Sequence, residues 1–177
     1  MKLFLLCYMM IFGTGAMFID HVPDKNFSRD VICLAKNIYF EARDQSTKGQ
    51  IAVALVTINR VRSRSFPNSV CKVVKQARRN KQGKPILHKC HFSWYCDGLP
   101  DKPKEYIAWR VSLVIARAML EKEGVYITRW GQRWLVEDFL HGSTHYHRVD
   151  VDPYWNKNML VSTTIGDHIF YIDPYSY

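Results

Sequence analysis

The sequence holds no internal repeat, no low-complexity tract and no apolar run near the ~20 residues of an ordinary membrane-spanning helix. The first absence excludes solenoid and array architectures, and the second excludes a largely disordered chain. The basic residues form no long tail. They fall in small groups such as Arg60, Arg62 and Arg64, or Lys75, Arg78, Arg79 and Lys81. With 177 residues, 47% of them hydrophobic, the chain suffices for one compact domain whose core needs neither metal nor dense cross-linking.

Aromatics are plentiful: ten Tyr and five Trp contribute to a 14% aromatic share. Such a content fits either an aromatic-rich core or a surface that stacks on ring-shaped ligands. The formal charge of +9 suits an anionic partner such as a nucleic acid, a membrane surface or an acidic polymer, and it says nothing about chemistry. The N-terminus selects a compartment. Lys2 precedes an almost unbroken apolar run over residues 3–12, and Gly13-Thr14-Gly15-Ala16 then supplies small residues of the kind read by a signal peptidase. Residues 1–16 are therefore expected to be a signal peptide cleaved after Ala16. The alternative is an uncleaved signal-anchor lengthened by Met17, Phe18 and Ile19. Residues 17–27 read as a linker and residues 28–177 as a single domain. The expected protein is exported and monomeric, has no nucleic-acid partner, and meets the membrane only through an uncleaved signal.

Export changes the meaning of the cysteines. Cys7 leaves with the signal, and Cys33, Cys71, Cys90 and Cys96 remain, an even number in an oxidising setting. They are expected to form disulfides, and three pairings are open. A metal site is the sharper alternative, because Cys90 and Cys96 lie near His88 and His91. Those spacings match no common zinc pattern, so no metal site is assigned.

Ser28 is a plausible helix N-cap with Asp30 in the first turn, and apolar residues recur with helical spacing at Val31, Leu34, Ala35, Ile38 and Ala42. Thr47 and Gln50 have the spacing of a capping box at the start of a second helix, whose inward positions are Ile51, Ala54, Leu55, Ile58 and Val61. Phe66-Pro67-Asn68-Ser69 breaks that helix, and Ser69 is placed to cap a short one through Val73 and Val74. Residues 78–85 are basic and turn-prone and read as a surface loop. A third long helix is expected over residues 103–122, with Pro103 near its first position and Gly124 just past its end. Residues 144–147, 161–165 and 168–172 read as short strands between Gly, Pro and Asp turns. Helices first and strands later define an α+β fold: a mainly helical N-terminal part with a small antiparallel sheet in the C-terminal third.

Glu41 is the most informative single residue. It follows Ile38 by three positions and Leu34 by seven, so it lies on or beside the buried stripe of its helix. Desolvation there disfavours the carboxylate and raises the pKa. A glutamic acid still protonated near neutral pH is what glycosidic cleavage needs to protonate a leaving oxygen. The helix pattern alone favours a buried ion pair with Arg43, Arg60 or another cation.

Several blocks then occur in order: Ile38-Tyr39-Phe40-Glu41-Ala42-Arg43, Gly49-Gln50-Ile51-Ala52-Val53-Ala54, Asn59-Arg60-Val61, Phe66-Pro67 and Val73-Val74. They continue with Cys90-His91-Phe92-Ser93-Trp94, Thr144-His145-Tyr146-His147, Pro153-Tyr154-Trp155 and residues 165–171. Together they resemble the SleB/CwlJ family of cell-wall hydrolases across about residues 30–172. The family includes spore-cortex-lytic enzymes, relatives in bacteria that form no spores, and phage lysins. The resemblance implies a lysozyme-like transglycosylase architecture and peptidoglycan glycan strands as substrate. It also implies one essential Glu in the Tyr-x-Glu-Ala-Arg block, here Glu41, and no cofactor. Two departures stand out: Asp44 where Gly is usual, and His91 where many members carry Gln.

On this reading the reaction is lytic transglycosylation between N-acetylmuramic acid and N-acetylglucosamine. Ser93 and Trp94 are expected to line the cleft, Trp94 by stacking on a sugar. Thr144 and Tyr146 share one face of a strand, with Tyr146 nearest Glu41, and His147 and Trp155 complete the candidate substrate contacts. Trp155 fits a core position equally well, and His168 reads as structural. His145 and His147 lack a clear third ligand for a metal. Four alternatives stay open. A second carboxylate (Asp97, Glu137, Asp138 or Asp150) facing Glu41 would make the enzyme a hydrolytic muramidase. A Cys nucleophile, Cys33 or Cys90 beside His91, would make it a peptidoglycan amidase or endopeptidase, as would a zinc site. The last is a non-catalytic glycan-binding module.

Overall fold

The computed structural model describes residues 27–121, 125–127, 133–135 and 137–175. The expected signal, most of the linker and Gly124 lie outside the described residues. Phe27, the last linker position, packs against the core.

Helix α1 (Arg29–Ala42) is the axis of the helical part, and it contacts α2 (Thr47–Arg62), α3 (Val70–Val74) and α4 (Tyr106–Glu121). Ser28 caps it as expected, its Oγ accepting from the Val31 amide at 3.3 Å. All five stripe residues, Val31, Leu34, Ala35, Ile38 and Ala42, are fully buried. Helix α2 starts as foreseen, but its cap sits one residue earlier. Ser46, not Thr47, accepts from the Gly49 amide, and Gln50 Nε2 donates to the Gln45 carbonyl. The unbroken buried run from Ala52 to Arg60 makes α2 a helix enclosed on every side, not a one-sided amphipathic one.

Two expectations need refining here. Residues 80–84 are the exposed surface turn expected within 78–85, but that turn is the tip of a hairpin of β1 (Ala77–Arg79) and β2 (Pro85–Cys90), closed by Asn80, whose Oδ1 accepts from the Gln82 and Lys84 amides, and by Gly83 at φ 75°. Asn and Gly supply that turn, which the run of cations obscures. Helix α4 begins at Tyr106, not Pro103, and the Tyr39 hydroxyl accepts the Lys104 and Glu105 amides just ahead of it.

Strands β3 (Val125–Ile127) and β4 (Arg133–Leu135) form a second antiparallel hairpin that no periodicity announces. The C-terminal strands appear as expected: β5 (His145–Arg148), β6 (Leu160–Ile165) and β7 (His168–Ile172) make an antiparallel sheet in the order β5-β7-β6. The α+β organisation is therefore borne out. Disulfides join Cys33 to Cys71, linking α1 to α3, and Cys90 to Cys96, linking β2 to the short 3-10 helix Ser93–Cys96.

Candidate active site

The sheet meets α1 through its turns. Gln45, three residues past α1, donates from Nε2 to Asp167 Oδ2 at 3.1 Å and accepts the Asp167 amide at 3.2 Å. Gly166, at φ 56°, leaves room for the Gln45 amide oxygen, which any Cβ there would strike. This clasp brings β5 and β7 against the last turn of α1, where Glu41 sits. Tyr146, paired with Phe170 across the sheet, then reaches the carboxylate, and its hydroxyl donates to Glu41 Oε2 at 2.8 Å.

Glu41 and Tyr146 lie in a cleft of about 710 Å³, which Phe40, Arg43, Asp44, Ser93, His147, Arg148, Val151 and His168 also line. Burial pushes the Glu41 carboxyl above its ordinary pKa, while the Tyr146 hydrogen bond and the positive charge of Arg60 pull the other way and do not cancel it. Burial and the adjacent carboxylate hold the Tyr146 phenol well above its usual range, so it remains a donor. No ion pair reaches Glu41 among the described residues. Arg43 turns instead to Glu105, at 3.7 Å, and over the Tyr39 ring. Arg60 is buried, its guanidinium over the Phe66 and Phe92 rings at 5.2 and 4.8 Å and its Nε donating to the Thr144 carbonyl at 2.7 Å. It therefore acts on Glu41 through space. The arrangement favours the protonated form of a carboxyl group at a solvent-facing cleft more than an exposed site would, and keeps a fixed cation near enough to ease its loss.

Of the residues singled out from sequence, Glu41, Ser93, Tyr146 and His147 border this cleft. The His147 ring is committed elsewhere: Nδ1 bonds the Arg148 carbonyl at 2.7 Å, and Nε2 bonds the Tyr171 hydroxyl at 2.7 Å. Three others are placed away from it. Trp94 is buried, its indole N–H donating to Asn37 Oδ1 at 3.0 Å and its ring stacked on Phe40 at 4.8 Å. It backs the cleft wall, and its N–H is satisfied by Asn37 and not by a sugar. Thr144 is buried where Arg60 takes its carbonyl. Trp155 is half-buried and packs on His145, His147 and Tyr171, on the opposite face of β5 from Tyr146. Phe40, Arg43 and Asp44 lay within reach of the sequence, being neighbours of Glu41. Arg148 and His168 were also accessible, as cross-strand partners on the Tyr146 face.

The candidate second carboxylates sit elsewhere. Asp97 caps the Leu99 amide, Asp138 binds Asn59, Leu140 and Gly142, Asp150 pairs with Arg148, and Glu137 is exposed outside the cleft. Among the described residues no three His, Cys, Asp or Glu side chains converge as a ligand set.

Comparison with known proteins adds an independent line. The chain is 41% identical over 58 residues to a spore cortex-lytic enzyme of Bacillus cereus, an alignment covering 33% of this chain and 22% of that protein. The chain thus matches about a fifth of that relative's length. Two solved structures agree with its fold over 85% of the chain at 26% identity. One is the catalytic domain of the Bacillus cereus SleB protein (TM-score 0.53, 95% of that chain), and the other is the catalytic domain of the germination-specific lytic transglycosylase SleB from Bacillus anthracis (TM-score 0.56, 100% of that chain). This likeness bears out the lysozyme-like transglycosylase architecture. Residues 44–171 match the family described as Cell Wall Hydrolase, a stretch beginning three residues past Glu41, and on that match the chain belongs to the cell wall hydrolase family.

Proposed function

We propose that the protein is a peptidoglycan lytic transglycosylase that cleaves the bond between N-acetylmuramic acid and N-acetylglucosamine with Glu41 as its single acid and base. The observation that carries this reading is the Glu41 carboxyl itself, half-buried at an open cleft, raised in pKa and held by the Tyr146 hydroxyl. Similarity to the catalytic domain of SleB from Bacillus anthracis, a germination-specific lytic transglycosylase, supports the same class. In the first step Glu41 gives its proton to the glycosidic oxygen as the bond to the anomeric carbon breaks. The carboxylate left behind, eased by Arg60 and Tyr146, takes the proton of the muramyl 6-hydroxyl. That oxygen closes on the anomeric carbon as a 1,6-anhydro ring, so no water needs activation. The two disulfides fit action outside the cytoplasm, where such bonds persist.

One observation favours a second reading. Asp44 lines the cleft beside Glu41 and carries a carboxylate that hydrolysis requires. It belongs to the same chain turn as Glu41, whereas two-carboxylate glycosidases flank the scissile bond from opposite sides. The cysteine-nucleophile alternative loses its support, since Cys33 and Cys90 are both held in disulfides.

Mass spectrometry of the products from purified peptidoglycan decides. Anhydro-muramyl ends, lost in Glu41→Gln and retained in Asp44→Asn, are expected. Reducing ends would establish hydrolysis, and released peptides with intact glycans would remove the glycosidic reading. A pure glycan binder would keep its full effect on walls as Glu41→Gln.

A further inference from the structure

Positive charge is not spread over this protein. Residues 45–96 contain eleven Lys and Arg and no Asp or Glu, so this stretch exceeds the charge of the whole chain, which is +9. Seven of the eleven fall between Lys72 and Lys89, on α3 and the β1–β2 hairpin, and the hairpin cations Arg78, Arg79, Lys81, Lys84 and Lys89 are all exposed. None of them meets a carboxylate among the described residues. Arg79 is spent on the turn, donating to the Gly83 carbonyl at 2.9 Å. The others face solvent.

The same hairpin exposes apolar side chains. Ile86 and Leu87 on β2 are 39% and 56% exposed, and Leu99 is 71% exposed. Leu87 lies against Gly98, its Cδ1 3.4 Å from where a Cβ would stand, which sets it next to the segment that carries Leu99. The Cys90–Cys96 disulfide fixes the base of the hairpin to this segment. The result is a tethered projection bearing exposed apolar side chains among exposed cations.

We propose that the β1–β2 hairpin is a docking element for an anionic lipid surface. Cations alone would suit any phosphate-bearing partner, but three exposed apolar side chains among them have no use on a soluble polyanion. On a bilayer they enter the acyl boundary, while the lysine stems reach up to the headgroup phosphates. A nucleic acid is disfavoured on a second ground. Residues 72–90 contain no Phe, Trp or Tyr, and single-strand binding surfaces rely on such rings to stack bases. Docking here holds the enzyme at the membrane face of its substrate without occupying the Glu41 cleft, which none of these residues lines.

The test is flotation of the full chain with vesicles of equal parts phosphatidylglycerol and phosphatidylcholine, and with phosphatidylcholine alone. The N-terminal apolar run is common to every variant, so differences between variants report the hairpin. Binding is expected to depend on phosphatidylglycerol and to weaken roughly fivefold per cation removed in Lys81→Gln, Lys84→Gln and Lys89→Gln. Leu87→Ser with Leu99→Ser is expected to weaken it roughly tenfold. These exposed substitutions leave the fold and the rate on soluble glycan chains unchanged, and the binding readout holds whatever bond Glu41 cleaves. Equal affinity for both vesicle types would overturn the proposal. So would indifference to the leucine pair with charge dependence intact, or tighter binding to DNA or phosphate-rich wall polymer than to vesicles.

Discussion

At the scale of single residues, Glu41 is destabilising by design, because its carboxylate is desolvated in the native state and free in the unfolded chain. A carboxyl raised in pKa binds its proton more tightly when folded, so stability is greatest below the unfolded pKa and declines as pH rises through the folded one. Glu41→Gln is therefore expected to raise stability at neutral pH by about 0.5–2 kcal/mol, an advantage that vanishes at acid pH. The same variant should lower kcat by about 10²–10⁴. Thermal melts across pH, set beside activity, check both halves. Because the proposed mechanism needs the protonated acid, activity should fall as pH rises through the raised Glu41 pKa. Tyr146→Phe removes a bond that lowers that pKa, so it should move the basic limb to higher pH while reducing the maximum rate less than Glu41→Gln does. A limb that stays put would mean Tyr146 does not act on the carboxyl. The apolar stripe made Glu41 legible as a partly desolvated acid, and the ordered family blocks singled it out. Arg60 was legible as a candidate ion-pair partner, but its burial without an ion pair was not, since the aromatic shelf of Phe66 and Phe92 that allows it comes from distant segments.

At the scale of elements, periodicity located what a one-sided core dictates and missed what local contacts decide. Helix α1 was readable because its five stripe residues all face the core. The start of α4 was not, because the group that receives the amides ahead of it is a hydroxyl 65 residues away in sequence. The β1–β2 hairpin was hidden for a different reason. Its strands bury neither face, so they lack the alternation that marks a half-buried strand. Trp94 shows how this affects site assignment. An aromatic in a polar block reads as a sugar platform, yet the short 3-10 helix turns it inward onto Asn37 and Phe40. Trp94→Phe should consequently behave as a core change. Losing the indole N–H leaves Asn37 Oδ1 buried without its donor, at a cost of about 1–3 kcal/mol in urea unfolding. Substrate KM should stay near wild type. A raised KM with unchanged stability would return Trp94 to the cleft.

At the scale of the whole molecule, the two disulfides hold unequal shares of the stability. Cys33–Cys71 spans 38 residues and fastens α1, which carries Glu41, to α3, where the Cys71 amide also donates to Asp30 Oδ1 at 3.2 Å. Cys90–Cys96 spans only 6 and pins a surface hairpin. The chain-entropy account gives about 4 kcal/mol for the longer closure and about 2 kcal/mol for the shorter. A domain of this size has only about 5–15 kcal/mol in all. Cys33→Ala with Cys71→Ala should therefore lower Tm by roughly 8–16 °C, and Cys90→Ala with Cys96→Ala by roughly half as much. Both pairs should retain activity at temperatures where they remain folded, because the proposed mechanism places the chemistry on Glu41 and on no thiol. Differential scanning calorimetry with parallel wall-lysis assays separates the two contributions. Loss of activity in a folded Cys33→Ala, Cys71→Ala protein would reopen the cysteine-nucleophile reading. A small loss of Tm on removing the longer bridge would instead mean that α1 and α3 stay together in the unfolded chain, leaving the bridge little entropy to remove.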